Sequence, residues 1–499
     1  MAAAVFPNRG PITVSIMLAA MMNTVDSTIV NVSLPHMQGA LSATPDQVTW
    51  VLTSYIVATA VGTPLSGWLA GRFGLRATIV ATITGFTLAS MACGVATTLP
   101  QIVLFRVLQG LFGAATMPLS QTVLFNINPV ERHARAMSIW STGSVLGPIA
   151  GPILGGWLTE TLSWRWCFLI NLPLGVLAIA GVLIFMPKED DARRRPFDFL
   201  GYTALAIMVG TIQLMLDRGP GEDWFQSAEI WTYALVAMSC LWVFVFHTAT
   251  ASNPFLDPAL LRDRNLVTAA IFAFFAGILM FSAFAILPIM TQTLLGNPPM
   301  TAGFLNMPRA IGMGIAVTIA GRLADLFDQR AILLTALMVG AYGLWLMSGF
   351  DLTMDSHMIL FTGLIQGFST GLFFVPMTTL AFATVSTDLR AEASSVFNLM
   401  RNMGASVGIS AMQAMALINS GAAHEALAGR VSPEDQTLRA ALSAGFDPAT
   451  LEGAARLNGE ITRQAMMIGY LDDFRLLIVM CFVSAPLLLL MRPPKRATA

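Results

Sequence analysis

Apolar runs of about 20 residues recur from one end of this chain to the other, and each is long enough to cross about 30 Å of hydrocarbon as a helix. Of the 499 residues, 55% are hydrophobic and only 11% are charged, whereas soluble domains carry about 25% charged residues. The pattern therefore predicts an all-α integral membrane protein with 14 transmembrane helices. We predict these spans at 12–34, 49–70, 77–98, 100–125, 137–158, 167–187, 199–216, 229–249, 266–290, 301–323, 330–350, 356–384, 391–418 and 474–491.

Positive charges predict the orientation of these spans. If both termini are cytoplasmic, most Lys and Arg residues fall in cytoplasmic segments, and the short outer loops carry only Arg165 and Arg218. Short cytoplasmic loops are enriched in Lys and Arg. The first apolar run is too long for a cleavable signal peptide, and no small-residue cleavage pattern follows it, so we expect it to remain as a membrane anchor.

Composition argues against several other classes of protein. The formal net charge of −1 disfavours nucleic acid as a partner. The four cysteines lie in or at the edge of spans without metal-ligand spacing, and the five histidines form no HExxH-type motif. We therefore expect a protein that is not an enzyme and that holds no metal and no organic cofactor.

The chain also contains an internal repeat at an offset near 255 residues. Segment 67–74 matches 321–328, segment 108–110 matches 365–367, and 134–138 falls opposite 391–395. Two six-helix halves related by an axis along the membrane normal would produce such a repeat. The offset exceeds six helices, so two extra helices lie between the halves. The predicted domains are an N-terminal six-helix bundle at 1–187, a linker with two additional transmembrane helices at 188–265, and a C-terminal six-helix bundle at 266–499 that includes a long outer segment at 420–472.

Segment 143–158 combines five glycines and two prolines with a position inside a predicted span. Both residue types are poor helix formers in water, but a bilayer tolerates them when neighbouring helices satisfy the backbone. A four-residue spacing of glycines lines one helix face with small residues, which lets another helix approach closely. This close-packing face comprises Gly143, Gly147, Gly151 and Gly155, with Pro148 and Pro152 on the adjacent face.

Four formally charged residues lie deep within the predicted spans: Asp26, Arg106, Arg309 and Arg401. A charge at this depth is costly, so each is a candidate functional residue. Asp26 is the only acid among the four, which makes it the candidate proton carrier. Arg106 is the cation expected to modulate its proton exchange. For Arg309 and Arg401, structural and functional readings stay equally open.

Several segments resemble motifs of the major facilitator superfamily, and in particular its fourteen-helix EmrB/QacA-type drug/proton antiporters. Segment 143–158 resembles motif C, 25–35 the first-helix motif, 67–76 motif A and 106–110 motif B. Segments 164–166, 171–173 and 398–408 are also typical of that family. Motif A usually carries an Asp where this chain has Gly71 and a basic residue where it has Leu75, whereas Asp325 keeps an acid in the second half.

The resemblance implies a substrate pocket between the halves near the bilayer midplane, with spans 1, 2, 4 and 5 facing spans 9, 10, 12 and 13. The expected substrate-binding residues on these spans, or just beyond their ends, are Asn23, Tyr55, Gln109, Met290, Gln292, Asn306, Phe373, Phe374, Asn398 and Asn402. The expected gating and packing residues are Gly67, Arg72, Gly74, Gly143, Gly147, Pro148, Gly151, Pro152, Gly155 and Asp325.

The function implied by the resemblance is proton-driven export of amphiphilic or hydrophobic toxic compounds across the bacterial inner membrane by alternating access. The proton is then the coupling ion, and the partners are membrane lipid and small amphiphilic substrates. A periplasmic adaptor protein that leads to an outer-membrane channel would contact segment 420–472. Export of one specific metabolite, lipid or siderophore is the alternative on the same scaffold. A non-transporting membrane receptor would be favoured by a soluble signalling domain, whereas the longest predicted soluble stretch is segment 420–472. A sugar importer would not be expected to carry the glycine- and proline-rich segment 143–158.

Overall fold

The computed structural model describes residues 8–129, 132–188, 196–430 and 450–491, and in these ranges the chain is helical without any strand. The helices are α1 (Arg9–Ala40), α2 (Pro45–Gly62), α3 (Leu65–Phe73), α4 (Leu75–Val95), α5 (Leu99–Gly113), α6 (Thr116–Ile127), α7 (His133–Thr161), α8 (Trp166–Leu169), α9 (Asn171–Phe185), α10 (Phe199–Arg218), α11 (Ala228–Thr250), α12 (Pro258–Arg262), α13 (Arg264–Thr293), α14 (Pro299–Leu326), α15 (Gln329–Met347), α16 (Ser356–Phe382), α17 (Arg390–Ala428), α18 (Leu451–Ser484) and α19 (Leu487–Leu490).

The predicted spans coincide with these helices. Within the described ranges, 11 helices are long and apolar enough to cross a membrane, or 12 when α2 and α3, which meet at a 55° bend, count as one broken span. Helices α7 and α17 are not among these 11, because their glycines and polar residues lower their hydropathy. They are 29 and 39 residues long and cover the predicted spans 137–158 and 391–418. The multi-pass helical architecture is thus confirmed, and the total of fourteen spans stays a prediction.

The two halves repeat the same packing. In the first half α1 packs on α7 and α2 packs on α5, and in the second half the equivalent helices α13 and α14 pack on α17 and α16. Helices α7 and α14 form the largest contact between the halves, and α17 contacts α3 and α6. The internal repeat of the sequence therefore appears as two similar bundles that face one another.

The halves are joined by hydrogen bonds on the side that the positive charges predict to be cytoplasmic. The hydroxyls of Ser66 and Ser395 lie 2.7 Å apart, and the Ser138 hydroxyl donates to the Val317 carbonyl at 2.6 Å. Arg390 Nη1 donates to the Phe125 carbonyl at 3.0 Å on the same side. This side is therefore closed.

Towards the other side, the central helices become accessible. On α1 the exposed residues Ser27, Asn31 and Pro35 follow one another at a four-residue spacing, beyond a stretch that is largely buried. On the equivalent helix α13, Phe281, Phe284 and Gln292 are exposed in the same half. The outer halves of α1 and α13 are thus less closely packed than their cytoplasmic halves.

The first inserted helix, α10, lies against both halves. Its Leu205 and Val209 share a buried apolar cluster with Ala60 of α2 and Leu399 of α17. Near its end, adjacent residues contact opposite halves: Asp217 accepts a hydrogen bond from Thr53, and the Leu216 carbonyl accepts one from Ser410 at 2.5 Å. The second inserted helix, α11, packs mainly on α10 and is largely exposed, which fits a helix surrounded by lipid.

Within the predicted outer segment 420–472, the composition of 437–444 and of 449–457 favours helix. Helix α17 continues to Ala428, and α18 begins at Leu451, so the two helices extend beyond the predicted spans. His424 Nε2 lies 3.0 Å from Asn458 Oδ1 and joins them there. The helix predicted at 449–457 forms the start of α18, and the one predicted at 437–444 lies outside the described residues. Alanine and leucine favour this continuation of α17 and α18 beyond the predicted spans.

Candidate proton-coupling and substrate site

The predicted acid and base of the first half form a buried ion pair. Asp26 lies in the middle of α1 and Arg106 in the middle of α5, and Arg106 Nη1 is 2.7 Å from Asp26 Oδ2. Their side chains are 0% and 1% exposed. Because a buried charge is costly unless it is paired and hydrogen-bonded, this pair must be well supported by its neighbours.

Neighbouring polar groups complete the pair. Asp26 Oδ1 accepts hydrogen bonds from Gln109 Nε2 and Asn171 Nδ2, both at 2.8 Å. Arg106 also donates to the Gln109 side-chain oxygen at 2.9 Å and, through Nε, to the Val51 carbonyl at 3.0 Å. The Tyr55 ring lies 4.0 Å from the guanidinium carbon, a cation–π distance. The site can therefore hold a carboxylate in a water-poor interior.

Two predicted substrate residues, Tyr55 and Gln109, thus belong to this buried network in the described state. Asn171 is a site residue that the predicted set lacks, although it was noted as part of the family-like segment 171–173. The available signal was an amide side chain inside the predicted span 167–187. Asn171 also donates to Ser90 at 2.9 Å, so it links Asp26 to α4.

The glycine face of α7 packs directly on α1. A methyl group placed on Gly143, Gly147 or Gly151 would collide with Met17, Thr24 or Thr28, respectively, and one on Gly155 would lie 2.9 Å from Ile29. The Thr28 hydroxyl reaches the Gly147 carbonyl at 3.3 Å. The close-packing prediction therefore describes a real helix contact, which flanks Asp26 on both sides along α1. The side chains of Pro148 and Pro152 lie outside the described part of the chain.

A cluster of side chains at the contact between the halves, which we call the inter-half cluster, comprises Gln121, Trp140, Phe374, Asn398 and Arg401. Asn398 Nδ2 donates to Gln121 Oε1 at 2.8 Å across the halves. The Trp140 and Phe374 rings, also from opposite halves, stack with centroids 6.2 Å apart. Arg401 Cζ lies 5.6 Å from the Phe374 centroid. Two predicted residues, Phe374 and Asn398, therefore belong to this cluster.

The other predicted substrate residues are dispersed. Met290 is fully buried, and Phe373 stacks on Phe272 inside the second half. Gln292 is exposed near the end of α13, and its side chain donates to the Pro288 carbonyl at 3.2 Å. The remaining three are half-buried: Asn23, whose amide reaches the Gly113 carbonyl at 3.3 Å, Asn306, whose amide donates to the Ala302 carbonyl at 2.8 Å, and Asn402.

The motif A residues lie at the closed side. A methyl group on Gly67 would lie 2.7 Å from the Glu392 backbone of the opposite half, so this glycine permits the close approach of α3 to α17. Gly74 joins α3 to α4 with φ of +84°, a conformation that favours glycine. Arg72 is exposed at the end of α3. The side chain of Asp325 lies outside the described part of the chain.

A second buried acid, Asp473, lies outside the predicted set of charges deep in the spans. Asp473 of α18 is 0% exposed, and neither of its carboxylate oxygens has a hydrogen-bond partner in the described ranges. The sequence places it one residue before the predicted last span, and α18 extends on both sides of that boundary. An isolated acid at a span edge resembles an ordinary loop residue, so its burial had no clear signal.

The whole chain resembles known transport proteins. The family profile described as "Major Facilitator Superfamily" matches residues 16–409. The chain belongs to the major facilitator superfamily. Among its relatives, the "Multidrug export protein EmrB" of Escherichia coli is 32% identical over 486 residues, which cover 97% of this chain and 95% of the relative. The "Fatty acid resistance protein FarB" of Neisseria gonorrhoeae is 32% identical over 97% of this chain and 96% of its own length.

Solved major facilitator structures share the fold. The human organic anion transporter MFSD10 (TETRAN) superposes with a TM-score of 0.64 at 12% identity, covering 95% of this chain and all of that one. The proton:xylose symporter XylE superposes with a TM-score of 0.61 at 11% identity, covering 95% of each chain. The predicted fold and the predicted likeness to EmrB-type exporters are both confirmed.

Proposed function

We propose that this chain is a proton-driven exporter of amphiphilic or hydrophobic toxic compounds, with the proton as its coupling ion and no other cofactor. The observation that carries the proposal is the buried Asp26–Arg106 pair beside the α1–α7 contact. The relatives whose printed names describe multidrug export and fatty acid resistance support the substrate class.

The geometry supports a simple coupling mechanism. A proton that reaches Asp26 neutralises the carboxylate and removes the Coulombic attraction of Arg106, which is strong in a low-dielectric interior. Arg106 and its partner Gln109 are then free to change hydrogen bonds. Since α1 packs on the glycine face of α7, a movement of α1 passes to α7, the helix that contacts α14 of the other half. Protonation would in this way alter the α7–α14 contact between the halves and so favour the change from one access state to the other.

The described state is closed towards the predicted cytoplasmic side and accessible from the other. In an exporter, this is the state that releases substrate and takes up a proton from outside. We therefore propose a location in the bacterial inner membrane, with both termini in the cytoplasm. Export into the periplasm would continue through an adaptor protein and an outer-membrane channel. The paired extensions of α17 and α18 beyond the membrane are the proposed adaptor contact.

Reconstitution with an imposed proton gradient tests this function. Proteoliposomes should accumulate a fluorescent amphiphile against its gradient when protons flow in the opposite direction, and collapse of the pH difference by nigericin should stop uptake. Accumulation that is unchanged without a pH difference would contradict proton coupling. Transport of a single compound from a chemically varied panel would favour the alternative, an exporter of one metabolite, lipid or siderophore.

A further inference from the structure

The buried acid Asp473 lies where α18 enters the second bundle. Its side chain is 0% exposed, and neither carboxylate oxygen has a hydrogen-bond partner in the described ranges. Helix α18 packs here on α13, α15 and α17. The next residue, Phe474, and Leu477 one turn further on are fully buried and apolar. Asp473 is therefore enclosed in an apolar helix interface, and the mechanism proposed for Asp26 does not use it.

Contacts on both sides of Asp473 give its depth in the bundle. The Phe474 ring lies edge-on to Phe350, with centroids 6.2 Å apart, just beyond the end of α15 at Met347. One turn before Asp473, Tyr470 is hydrogen-bonded to Thr293, the last residue of α13. Both α13 and α15 end at the predicted outer side. Asp473 is therefore at the outer edge of the second bundle, and the extension of α18, residues 451–472, begins directly beyond it.

The charged groups around Asp473 do not compensate for its burial. Away from the cytoplasmic ends, the titratable side chains on the elements packed there are Glu452, Arg456, Glu460, Arg463, Tyr470, Asp472, Arg475 and Cys481 on α18, Arg401, His424 and Glu425 on α17, Tyr342 on α15, and Asp351 and Asp355 in the turn after α15. The outer half of α13 has none. The nearest cation along α18, Arg475, is largely exposed and pairs with Asp472 at 2.8 Å.

The nearest buried cation is also distant. Gly469 packs against Ala416, so the antiparallel helices place Asp473 opposite Met412 of α17. Arg401 is about three turns away from Met412, or about 16 Å at 1.5 Å per residue. An unpaired carboxylate in an apolar interior is far more costly than the neutral acid, so burial favours the protonated form. In the described state, Asp473 therefore carries a proton.

We propose that Asp473 is a second proton-binding site, separate from Asp26, and that its proton keeps α18 packed against α13, α15 and α17 at the outer surface. The ionised form needs water, which it reaches only when this junction opens. A high pH on the outer side thus loosens the junction and releases the extension 451–472. The extension is the proposed adaptor contact, but the proton site itself does not depend on the export function.

Infrared difference spectroscopy on the purified full-length protein at pH 6 tests the protonation. A protonated carboxyl has a C=O stretching band that a carboxylate lacks. The difference between wild type and Asp473→Asn should contain this band. The matched control is Asp472→Asn, whose difference spectrum should lack the band because Asp472 is partly exposed and paired with Arg475. If the Asp473→Asn difference also lacks it, Asp473 is ionised and the proposal fails.

Spin labels test the release of the extension. Ala455→Cys on the extension and His357→Cys at the start of α16 are both exposed, and Cys240 is replaced by serine because the other three native cysteines are buried. Protein in nanodiscs should show one distance at pH 6 and a second population at pH 9. The ratio of released to packed protein should rise by up to tenfold for each unit of pH.

Variants of Asp473 should remove this response. Asp473→Asn is close in shape to the protonated acid, so it should give the single distance at both pH values. Asp473→Leu should do the same, and its agreement with Asp473→Asn excludes an effect of the amide. Asp472→Asn should respond to pH as the wild type does. A wild type with the same distances at both pH values, or an Asp473→Asn protein that still responds, would overturn the proposed control of the extension.

His424 is the competing source of a pH response. Its Nε2 lies 3.0 Å from Asn458 Oδ1 and joins the extensions of α17 and α18, and histidine titrates between pH 5 and 8. His424→Gln should leave the response between pH 6 and pH 9 in place. Loss of the response in His424→Gln would assign it to His424 and refute the role of Asp473. Neither measurement involves transport, so a failed export assay would refute the exporter function and leave this site standing.

Discussion

Asp26 Oδ2 lies 2.7 Å from Arg106 Nη1, and both side chains are almost completely excluded from solvent. Asp26→Asn should abolish accumulation against a gradient, because an amide cannot carry the proton. Removing one partner of a buried pair also costs about 3–5 kcal/mol of stability, so its Tm should fall.

The double variant Asp26→Asn/Arg106→Gln separates these two effects. It removes both charges, so the Tm should recover relative to Asp26→Asn, while uphill transport in proteoliposomes should stay absent. The control is Asp472→Asn, which alters a partly exposed acid of α18. Normal proton-driven accumulation by Asp26→Asn would exclude Asp26 as the carrier.

The glycine face of α7 provides a second prediction. Gly147→Leu and Gly151→Leu should both impair export, because any side chain there collides with Thr24 or Thr28. Overpacking of this kind costs about 1–3 kcal/mol. Gly156→Leu is the matched control, since a methyl group at Gly156 meets no atom within 4 Å. Transport rates in everted vesicles, divided by the amount of transporter present, distinguish the two impaired variants from the control. If all three variants export at the same rate, close packing of α1 and α7 does not matter for transport.

A disulfide can trap the state in which the predicted cytoplasmic side is closed. The hydroxyls of Ser66 and Ser395 are 2.7 Å apart although they belong to different halves. The pair Ser66→Cys/Ser395→Cys should cross-link under mild oxidation, stop transport by holding the halves together, and recover activity after reduction. Each single cysteine variant serves as a control for oxidation of the native thiols. A fully cross-linked protein that still transports would show that this contact does not open during the cycle.

The helical extensions of α17 and α18 predict a partner-dependent phenotype. Deletion of 426–456 should leave transport into vesicles intact but lower the resistance of intact cells with two membranes, because the proposed adaptor contact is lost. Replacement of 431–449 alone by a flexible linker keeps both helix ends, Ala428 and Leu451, and is the matched control. Equal resistance in cells with and without 426–456 would refute the adaptor contact while the exporter function stands.

The sequence predicted the fold well because membrane spans need long apolar runs, and because charges inside them are rare. The same rarity identified Asp26 and Arg106 before their contact was visible. Residues that carry no formal charge, such as Gln121 and Trp140 of the inter-half cluster, could not be distinguished from ordinary span residues. Asp473 was missed because burial at a span boundary depends on the tertiary packing of α18, which local composition does not encode.

Helix α10 has a consequence for the path that lipid-dissolved molecules can follow. A two-bundle transporter has two lateral seams where its halves meet, here between α2 and α17 and between α7 and α14. Because α10 packs on α2 and α17 and bonds to both through Asp217 and Leu216, it covers the first seam from the bilayer. The two seams are therefore unequal: in the described ranges an inserted helix covers the first, whereas direct packing of α7 on α14 closes the second.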